Sequence, residues 1–253
     1  MQTHIDPKQH VATGTGFHVF VGWSLFLILF PIIILLTIVG TYGLALIAWI
    51  IAGVLYSSRT RKARARLRGS AVLVNGAQFP WIHEAARGLA KRLGLAECPD
   101  IYVIEDNQQN AFALKHGSKR CVVLTDDIVY GALASGNTRA LNFILAHELA
   151  HHALGHTHLL RRFISSKYLP LSRLDEFSCD AVAHALIGDT AAARDALILL
   201  LVGPQLFQRI DKEALDQQAH SVLADRHSKK SEAGLSHPLL LRRYAQLQET
   251  RTL

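Results

Sequence analysis

An uncharged, apolar stretch near the N-terminus constrains the possible folds of this chain more than any other feature. After Lys8 no Asp, Glu, Lys or Arg occurs until Arg59, and residues 19–56 are almost entirely aliphatic, aromatic or small. A membrane-spanning helix needs about 20 apolar residues. The stretch is therefore too long for one such helix, and it predicts a transmembrane hairpin of two.

The glycines and polar side chains of residues 40–43 mark the expected turn of this hairpin. We expect an N-terminal tail at 1–18 and a hairpin at 19–58, with spans at about 19–39 and 44–56. One tilted span, with the rest of the stretch lying in the membrane interface, remains an alternative. A cleaved signal peptide fits poorly, because the stretch is too long and no small-residue cleavage site ends it.

A run of basic residues follows the apolar stretch directly. Residues 59–69 contain six Lys and Arg and no acidic residue, whereas the whole chain has 27 basic and 20 acidic residues. Basic residues beside a span mark its cytoplasmic side, so we expect a basic juxtamembrane collar and a cytoplasmic domain after it. A nucleic-acid site is the less favoured interpretation, because no aromatic residue interleaves the basic ones. The expected partner of this region is the lipid bilayer, and no nucleic acid is expected.

Residues 70–253 have the pattern of an α+β domain, mostly helical with a small mixed sheet. Two short apolar runs, Ala111–Lys115 and Cys121–Leu124, flank a turn-like insert and predict a hairpin. Thr138 begins a helix whose apolar residues recur at helical spacing. The polar tract 217–234 is expected to be a loop or a frayed helix end. Three cysteines are too few for a disulfide framework.

The predicted helix that begins at Thr138 carries the motif His147-Glu148-Leu149-Ala150-His151. Two His residues four positions apart project from one face of a helix, so both imidazoles can bind one zinc ion. Glu148 points to the neighbouring face, where it can take the proton of a water that zinc has activated. We expect one Zn²⁺ per chain, with Glu148 as the catalytic base.

A catalytic zinc site needs a third protein ligand. Glu176 and Asp180 lie one turn apart on a second predicted helix. Glu176 is the expected ligand, and Asp180 is expected to fix the tautomer of a ligand His through a hydrogen bond. Asp175 is the competing ligand, although it points to another side of that helix. His152, His156 and His158 are expected to be structural or exposed to solvent.

Four blocks together resemble the membrane-anchored zinc metalloendopeptidase family that contains HtpX and the type 1 CAAX prenyl protease. These blocks are Asn110–Ala113, His147–His151 extended by Gly155-His156, Glu176–Asp180, and Ser236-His237-Pro238 with Arg243. A domain behind a two-span hairpin is most similar to HtpX. The resemblance implies a zincin-like fold in a bacterial inner or plasma membrane, with more than one pass.

The resemblance also implies roles for residues outside the zinc motif. Asn110, Ala111, Phe112 and Ala113 form an edge strand that binds a peptide as an added strand. His237 is expected to donate a hydrogen bond to the oxyanion, and Arg243 to orient it or to bind the substrate carbonyl. Both are therefore expected catalytic residues.

The function expected from these features is endopeptidase cleavage of polypeptides, with quality control of misfolded membrane proteins as the implied task. A narrow-specificity processing protease, of the prenyl-protein or signalling-peptide type, is one alternative. A catalytically idle zinc-binding membrane scaffold is another, and Glu148 argues against it because a structural site needs no base. The sequence leaves the oligomeric state open.

Overall fold

The computed structural model describes residues 4–106 and 110–249. Residues 1–3 of the expected tail and 250–253 of the expected domain lie outside the described residues. The α-helices and β-strands follow in chain order: α1 Thr15–Gly40, α2 Leu44–Ser70, β1 Val72–Leu73, α3 Pro80–Arg92, β2 Asp100–Ile104, β3 Ala111–His116, β4 Lys119–Thr125, α4 Asp126–Ala134, α5 Thr138–Ala153, α6 Leu159–Lys167, α7 Leu169–Ile187, α8 Thr190–Val202, α9 Pro204–Phe207, α10 Lys212–Ala224, α11 Arg226–Ser231 and α12 Leu240–Glu249.

The four strands form one mixed sheet in the order β1-β2-β4-β3. The central pair β2–β4 is parallel, with Val103 opposite Leu124, and the outer pairs are antiparallel. The expected hairpin is present as β3 and β4, with Ala111 opposite Leu124. Strand β3 therefore lies at an edge of the sheet. The expected architecture, mostly helical with a small mixed sheet, is confirmed.

Helix α5 lies at the centre of the domain. It packs against α7, α8 and α3 as well as against the sheet, and its residues Leu141, Leu145 and Leu149 are fully buried. A helix that is buried on nearly every side carries apolar residues nearly all round, which is the pattern of this segment. The burial holds the His147–His151 segment rigidly between the sheet and α7.

The N-terminal apolar stretch folds as two helices, but its expected division into two spans is not supported. Among the described residues, only α1 is long and apolar enough to cross a membrane, by length and composition. Helix α2 falls short because its apolar part ends at Tyr56 and Arg59 follows one turn later. The expected collar 59–69 lies on the second half of α2, which continues through it to Ser70.

The domain contacts the N-terminal half of α1 and the C-terminal end of α2. The first half of α1 packs against α6 and α7, where His18 Nδ1 lies 2.7 Å from the Tyr168 hydroxyl. Near the other end, Leu67 of α2 packs against the small apolar cluster around Tyr102 on the sheet. The turn between the two helices is exposed, and a Cβ added at Gly40 or Gly43 would meet nothing within 4 Å.

Two further expectations are corrected by the structure. The polar tract 217–234 is mostly helical, in α10, α11 and a short 3₁₀ turn at Glu232–Gly234. Asp211 and Asp225 cap these helices by accepting hydrogen bonds from backbone N–H groups of their first turns, as N-cap carboxylates do. Helix α6 was not expected at all, because it is short and carries both apolar and basic residues.

Candidate metal centre and active-site cleft

Three side chains from two helices converge on one point. His147 and His151 of α5 place their Nε2 atoms 3.3 Å apart. From α7, Glu176 places Oε2 3.4 Å from His147 Nε2 and Oε1 3.4 Å from His151 Nε2. The helix period brings the two His residues to one face, and the packing of α5 on α7 brings the carboxylate to them.

The spacing of these donor atoms fits a tetrahedral metal ion. Zinc binds imidazole nitrogen and carboxylate oxygen at about 2.0–2.2 Å, so tetrahedral geometry requires donors about 3.3 Å apart. The nitrogen pair at 3.3 Å, and each nitrogen with its nearest Glu176 oxygen at 3.4 Å, match that spacing pair by pair. Two imidazoles and one carboxylate also form a ligand set of the catalytic type, which leaves the fourth position open.

Asp180 and Arg243 hold His147 from behind. The Nδ1 atom of His147 lies 2.8 Å from Asp180 Oδ1. Arg243 of α12 donates two hydrogen bonds of 2.7 Å to the two Asp180 oxygens, and its Nη1 lies 3.1 Å from Glu176 Oε2. Such a partner fixes the tautomer of the imidazole and leaves Nε2 for the metal. The structure thus places Asp180 behind the imidazole of His147, on the side away from Nε2.

A separate set of contacts holds His151. Its Nδ1 lies 3.2 Å from Nδ1 of His156, whose Nε2 lies 3.3 Å from Asp175 Oδ1. Asp175 also pairs with Arg161 at 2.6 Å. Gly155, at φ +78°, turns the chain after α5 so that His156 folds back on His151. Asp175 is therefore held by His156 and Arg161 and does not take the place of Glu176 beside the two candidate ligand histidines.

Sequence reasoning did not assign this supporting role to His156. The residue was expected to be structural or solvent-facing, whereas its imidazole is largely buried against a candidate ligand. The Gly155-His156 pair beyond the zinc motif was the available signal. His152 behaves as expected, because its nitrogens contact Thr157 Oγ1 and the Cys121 carbonyl rather than the candidate metal position.

The electrostatics of the site favour a positive charge between the donor atoms. Burial and Arg243 lower the pKa of His147, but Asp180 and Glu176 outweigh them and raise it to about 10. Burial acts to raise the pKa of Glu176, yet the hydrogen bonds from His147 and His151 hold that pKa well below its usual range. Glu176 is thus an ionised carboxylate, as a metal ligand must be.

Cys179 supplies a competing donor set, because its thiol, His156 and His151 also lie within 4.8 Å of one another. Burial, followed by the carboxylates of Glu176 and Asp175, raises the pKa of Cys179 well above its usual value. A metal ligand must be a thiolate, and these carboxylates oppose its formation. The set formed by His147, His151 and Glu176 is the better metal centre.

A cleft of about 180 Å³ opens over this centre. Glu148 lines the cleft beside His147, is largely buried, and has no hydrogen-bond partner among the residues the structure describes. Its carboxylate is therefore available to a molecule in the cleft. The other predicted site residues that line the same cleft are Asn110, Ala111, Phe112, Ala113, His151, Glu176, His237 and Arg243.

Strand β3 forms one wall of the cleft and has an unpaired edge in the described part of the sheet. The backbone of Asn110 pairs with Thr125. Since backbone groups alternate along a strand, those of Ala111 and Ala113 point to the open edge. The side chain of Asn110 accepts a hydrogen bond from the Ala111 N–H at 2.9 Å, so its own amide NH₂ remains available.

The two C-terminal residues occupy different positions around the centre. His237 lies at the rim, with its side chain 65% exposed and Nε2 3.5 Å from Glu176 Oε1. Arg243 is buried behind Glu176 and Asp180. Its contacts make it a residue that positions the carboxylates, and no hydrogen bond joins it to His237 among the described side chains.

Comparison with known proteins agrees with this description. Residues 76–166 match the model of Peptidase family M48, a stretch that includes β3 and the His147–His151 segment and ends before Glu176. A curated relative, the plastoglobule-localized metallopeptidase 48, chloroplastic, of Arabidopsis thaliana, is 25% identical over 211 residues. The aligned region covers 72% of this chain and 60% of the length of that relative. No solved structure matches the chain.

The family match and the geometry point to the same chemistry. Residues 76–166 resemble Peptidase family M48, and the histidines of that stretch meet Glu176 of α7 in a donor set that could hold a metal ion. Together they support a metallopeptidase, a hydrolase that depends on a metal ion.

Proposed function

We propose that this chain is a zinc-dependent endopeptidase anchored to a membrane. One observation carries the proposal. The two imidazole nitrogens of His147 and His151 lie 3.3 Å apart, each lies 3.4 Å from one oxygen of Glu176, and the carboxylate of Glu148 opens into the same cleft.

The residues of the cleft have complementary tasks in peptide hydrolysis. Zinc, when bound by His147, His151 and Glu176, polarises the scissile carbonyl and acidifies a water molecule. Glu148 takes the proton of the attacking water and passes it to the leaving amide nitrogen. His237, at the rim, donates a hydrogen bond to the oxygen that gains negative charge.

The open edge of β3 supports a polypeptide as the substrate. A peptide in extended conformation can add to this edge and pair with the backbone of Ala113, while the Asn110 amide donates to a substrate carbonyl. Such recognition reads backbone more than side chains, which suits an enzyme with many substrates. We therefore propose quality control of misfolded membrane proteins as its task.

Helix α1 supports the membrane anchor. It has 26 residues, and only 6% of its most apolar window is buried in the protein. Exposed apolar side chains on this scale require a non-aqueous environment or a partner. The basic residues of the second half of α2 support placing the domain on the cytoplasmic side.

Glu148→Gln tests the proposed chemistry most directly. The change keeps the volume of the side chain but removes the base, and a catalytic proton transfer contributes about 10²–10⁴-fold to the rate. We expect cleavage of casein or of a membrane protein to fall by that factor. Zinc content should stay at one per chain.

The matched control is Glu84→Gln, a substitution on α3 outside the cleft, which should leave cleavage unchanged. Undiminished cleavage by Glu148→Gln would contradict the proposed mechanism. Cleavage by wild-type protein that survives complete removal of zinc would contradict the assignment of the metal.

A further inference from the structure

A second cavity, larger than the active-site cleft, lies where α1 and α2 meet the domain. Its volume is about 810 Å³, and its walls come from both helices, from β3 and from the segment that leads into α6. Aromatic, hydroxyl, basic and aliphatic side chains share the lining. Nothing in the proposed peptide chemistry uses this cavity.

Helix α6 beside the cavity exposes an apolar face. Leu159, Leu160 and Phe163 are 58%, 48% and 45% exposed, while Ile164 and Ser165 face the domain. Basic residues Arg162 and Lys167 lie on the same short helix. A helix with an apolar face and flanking basic residues is typical of the plane of a membrane interface.

This apolar face is continuous with that of α1. The rings of Phe163 and Phe26 pack edge to face, with centroids 6.1 Å apart. One turn earlier on α1, the backbone at Gly22 approaches Ile164 so closely that a Cβ there would lie 2.7 Å from it. Helix α6 is thus fixed against α1, and lipid that surrounds α1 would meet α6 as well.

Aromatic residues mark the level at which this contact occurs. Trp23 of α1 and Tyr56 of α2 both line the cavity, together with Leu160. Trp and Tyr concentrate where hydrocarbon meets headgroups. Arg59 follows Tyr56 on α2, so the change from apolar to basic falls at the level of α6.

The cavity also offers positive charge with no acidic partner. Lys115 of β3 and Arg162 of α6 line it, and neither forms an ion pair with the residues described in the structure. Arg161, by contrast, is held by Asp175. Ser57 adds a hydroxyl group that can donate a hydrogen bond, whereas the Thr60 hydroxyl already donates to the Ser57 carbonyl. Unpaired cations beside hydroxyl groups suit a phosphate headgroup.

We propose that α6 lies in the membrane interface, with Leu159, Leu160 and Phe163 in the acyl region and an anionic phospholipid headgroup in the cavity beside Lys115 and Arg162. The inference rests on the proposed membrane anchoring by α1. It adds a second contact, which would fix the height and tilt of the domain relative to the bilayer.

Lipid quenching of a fluorophore tests the position of α6 in the full-length protein. The label is placed on Leu160→Cys in a Cys98→Ser background, since Cys121 and Cys179 are buried. The protein is reconstituted in vesicles of equal parts phosphatidylcholine and phosphatidylglycerol that carry nitroxide on the acyl chains. We expect strong quenching at Leu160→Cys.

Two control positions separate this inference from the anchoring itself. Leu36→Cys, exposed on the far part of α1, should be quenched, and Leu206→Cys, exposed on α9, should not. Quenching at Leu36→Cys with none at Leu160→Cys would overturn the interfacial position of α6 and leave the anchor intact. Quenching at neither position would overturn both.

The headgroup is tested by moving the nitroxide between the two lipids. Labelled phosphatidylglycerol should quench Leu160→Cys more strongly than labelled phosphatidylcholine. Lys115→Gln combined with Arg162→Gln should lower the preference for labelled phosphatidylglycerol about fivefold per charge removed. The control variant, Lys229→Gln combined with Lys230→Gln on α11, should preserve this preference. Equal quenching by the two lipids, or a preference that survives loss of both cations, would overturn the headgroup site.

Discussion

Each candidate zinc-binding imidazole is held by a different set of outer contacts. His147 is fixed by Asp180 at 2.8 Å, and Asp180 is held in turn by two hydrogen bonds from Arg243. His151 is fixed by the neutral ring of His156 at 3.2 Å. A consistent tautomer has His151 Nδ1–H donating to His156 Nδ1, and His156 Nε2–H donating to Asp175.

Neighbouring carboxylates on α7 should differ sharply in their effect on zinc. Glu176→Ala removes a candidate ligand and should lower zinc affinity by more than the about 10–100-fold that loss of an outer partner costs. Asp175→Asn keeps an oxygen that accepts from Arg161, its amide NH₂ can donate to Ser165 Oγ, and the variant should retain zinc. Elemental analysis of both purified proteins measures this, and the reverse pattern would reassign the third ligand to Asp175.

His156 should affect zinc affinity although it is no ligand. His156→Leu leaves Nδ1 of His151 without its partner and should weaken zinc binding about 10–100-fold. His152→Leu is the matched control, since His152 is also buried but contacts Thr157 and Cys121. It should lower stability without changing zinc affinity. Competition with a chromophoric chelator measures the zinc affinity of both variants. Equal zinc affinities for His156→Leu and His152→Leu would contradict the role of His156.

At the scale of elements, the contact between α1 and the domain depends on a glycine. A Cβ at Gly22 would lie 2.7 Å from Ile164 and 3.5 Å from Leu171, whereas one at Gly16 would meet nothing within 4 Å. Both glycines are in α1. Comparing alanine substitutions at Gly22 and Gly16 therefore separates the effect of close packing from that of helix propensity.

Gly22→Ala should destabilise the protein relative to Gly16→Ala. Alanine favours a helix interior over glycine by about 1 kcal/mol, and by less at Gly16 because it is the second residue of α1, but overpacking against Ile164 costs about 1–3 kcal/mol at Gly22 alone. Thermal unfolding in detergent micelles measures the difference. Equal unfolding temperatures for the two variants would show that α1 does not pack on α6 in solution.

The sequence predicted elements where a periodic pattern and a motif coincide. The helix from Thr138 and the β3–β4 hairpin were predicted because helical spacing and a turn signal mark them. The Gly155-His156 pair marked the position in the sequence, but the contact of His156 with His151 depends on the turn at Gly155 and on the pairing of Asp175 with Arg161, which no local pattern shows. The continuation of α2 to Ser70 could not be predicted either. A run of basic residues indicates which side of a membrane it faces, but it does not indicate a secondary structure.

At the scale of the whole molecule, the buried site needs a cation. Glu148, Glu176 and Asp180 are largely buried, and Arg243 is the positive side chain packed against Asp180 and Glu176. With both histidines neutral, as metal ligands must be, three carboxylates and one guanidinium leave a formal charge of −2, which one Zn²⁺ neutralises. Buried charge is costly unless it is paired, so the metal and the fold should stabilise each other.

Removal of zinc should therefore lower the unfolding temperature of the whole domain. A ligand at about 1,000 times its Kd adds about 4 kcal/mol, which corresponds to about 10 °C for a domain of this size. A chelator should produce this shift, and added zinc should reverse it. Glu176→Ala should unfold at one temperature with or without chelator. A wild-type protein insensitive to chelation would contradict the coupling.

The zinc K-edge absorption spectrum of the purified full-length protein tests the central claim most directly. The account predicts one zinc per chain with a shell of nitrogen and oxygen at about 2.0–2.2 Å, two imidazole signatures and no sulfur. These are the ligands that His147, His151 and Glu176 supply. A sulfur shell at about 2.3 Å would place Cys179 on the metal, and it would contradict the site on which the proposed function rests.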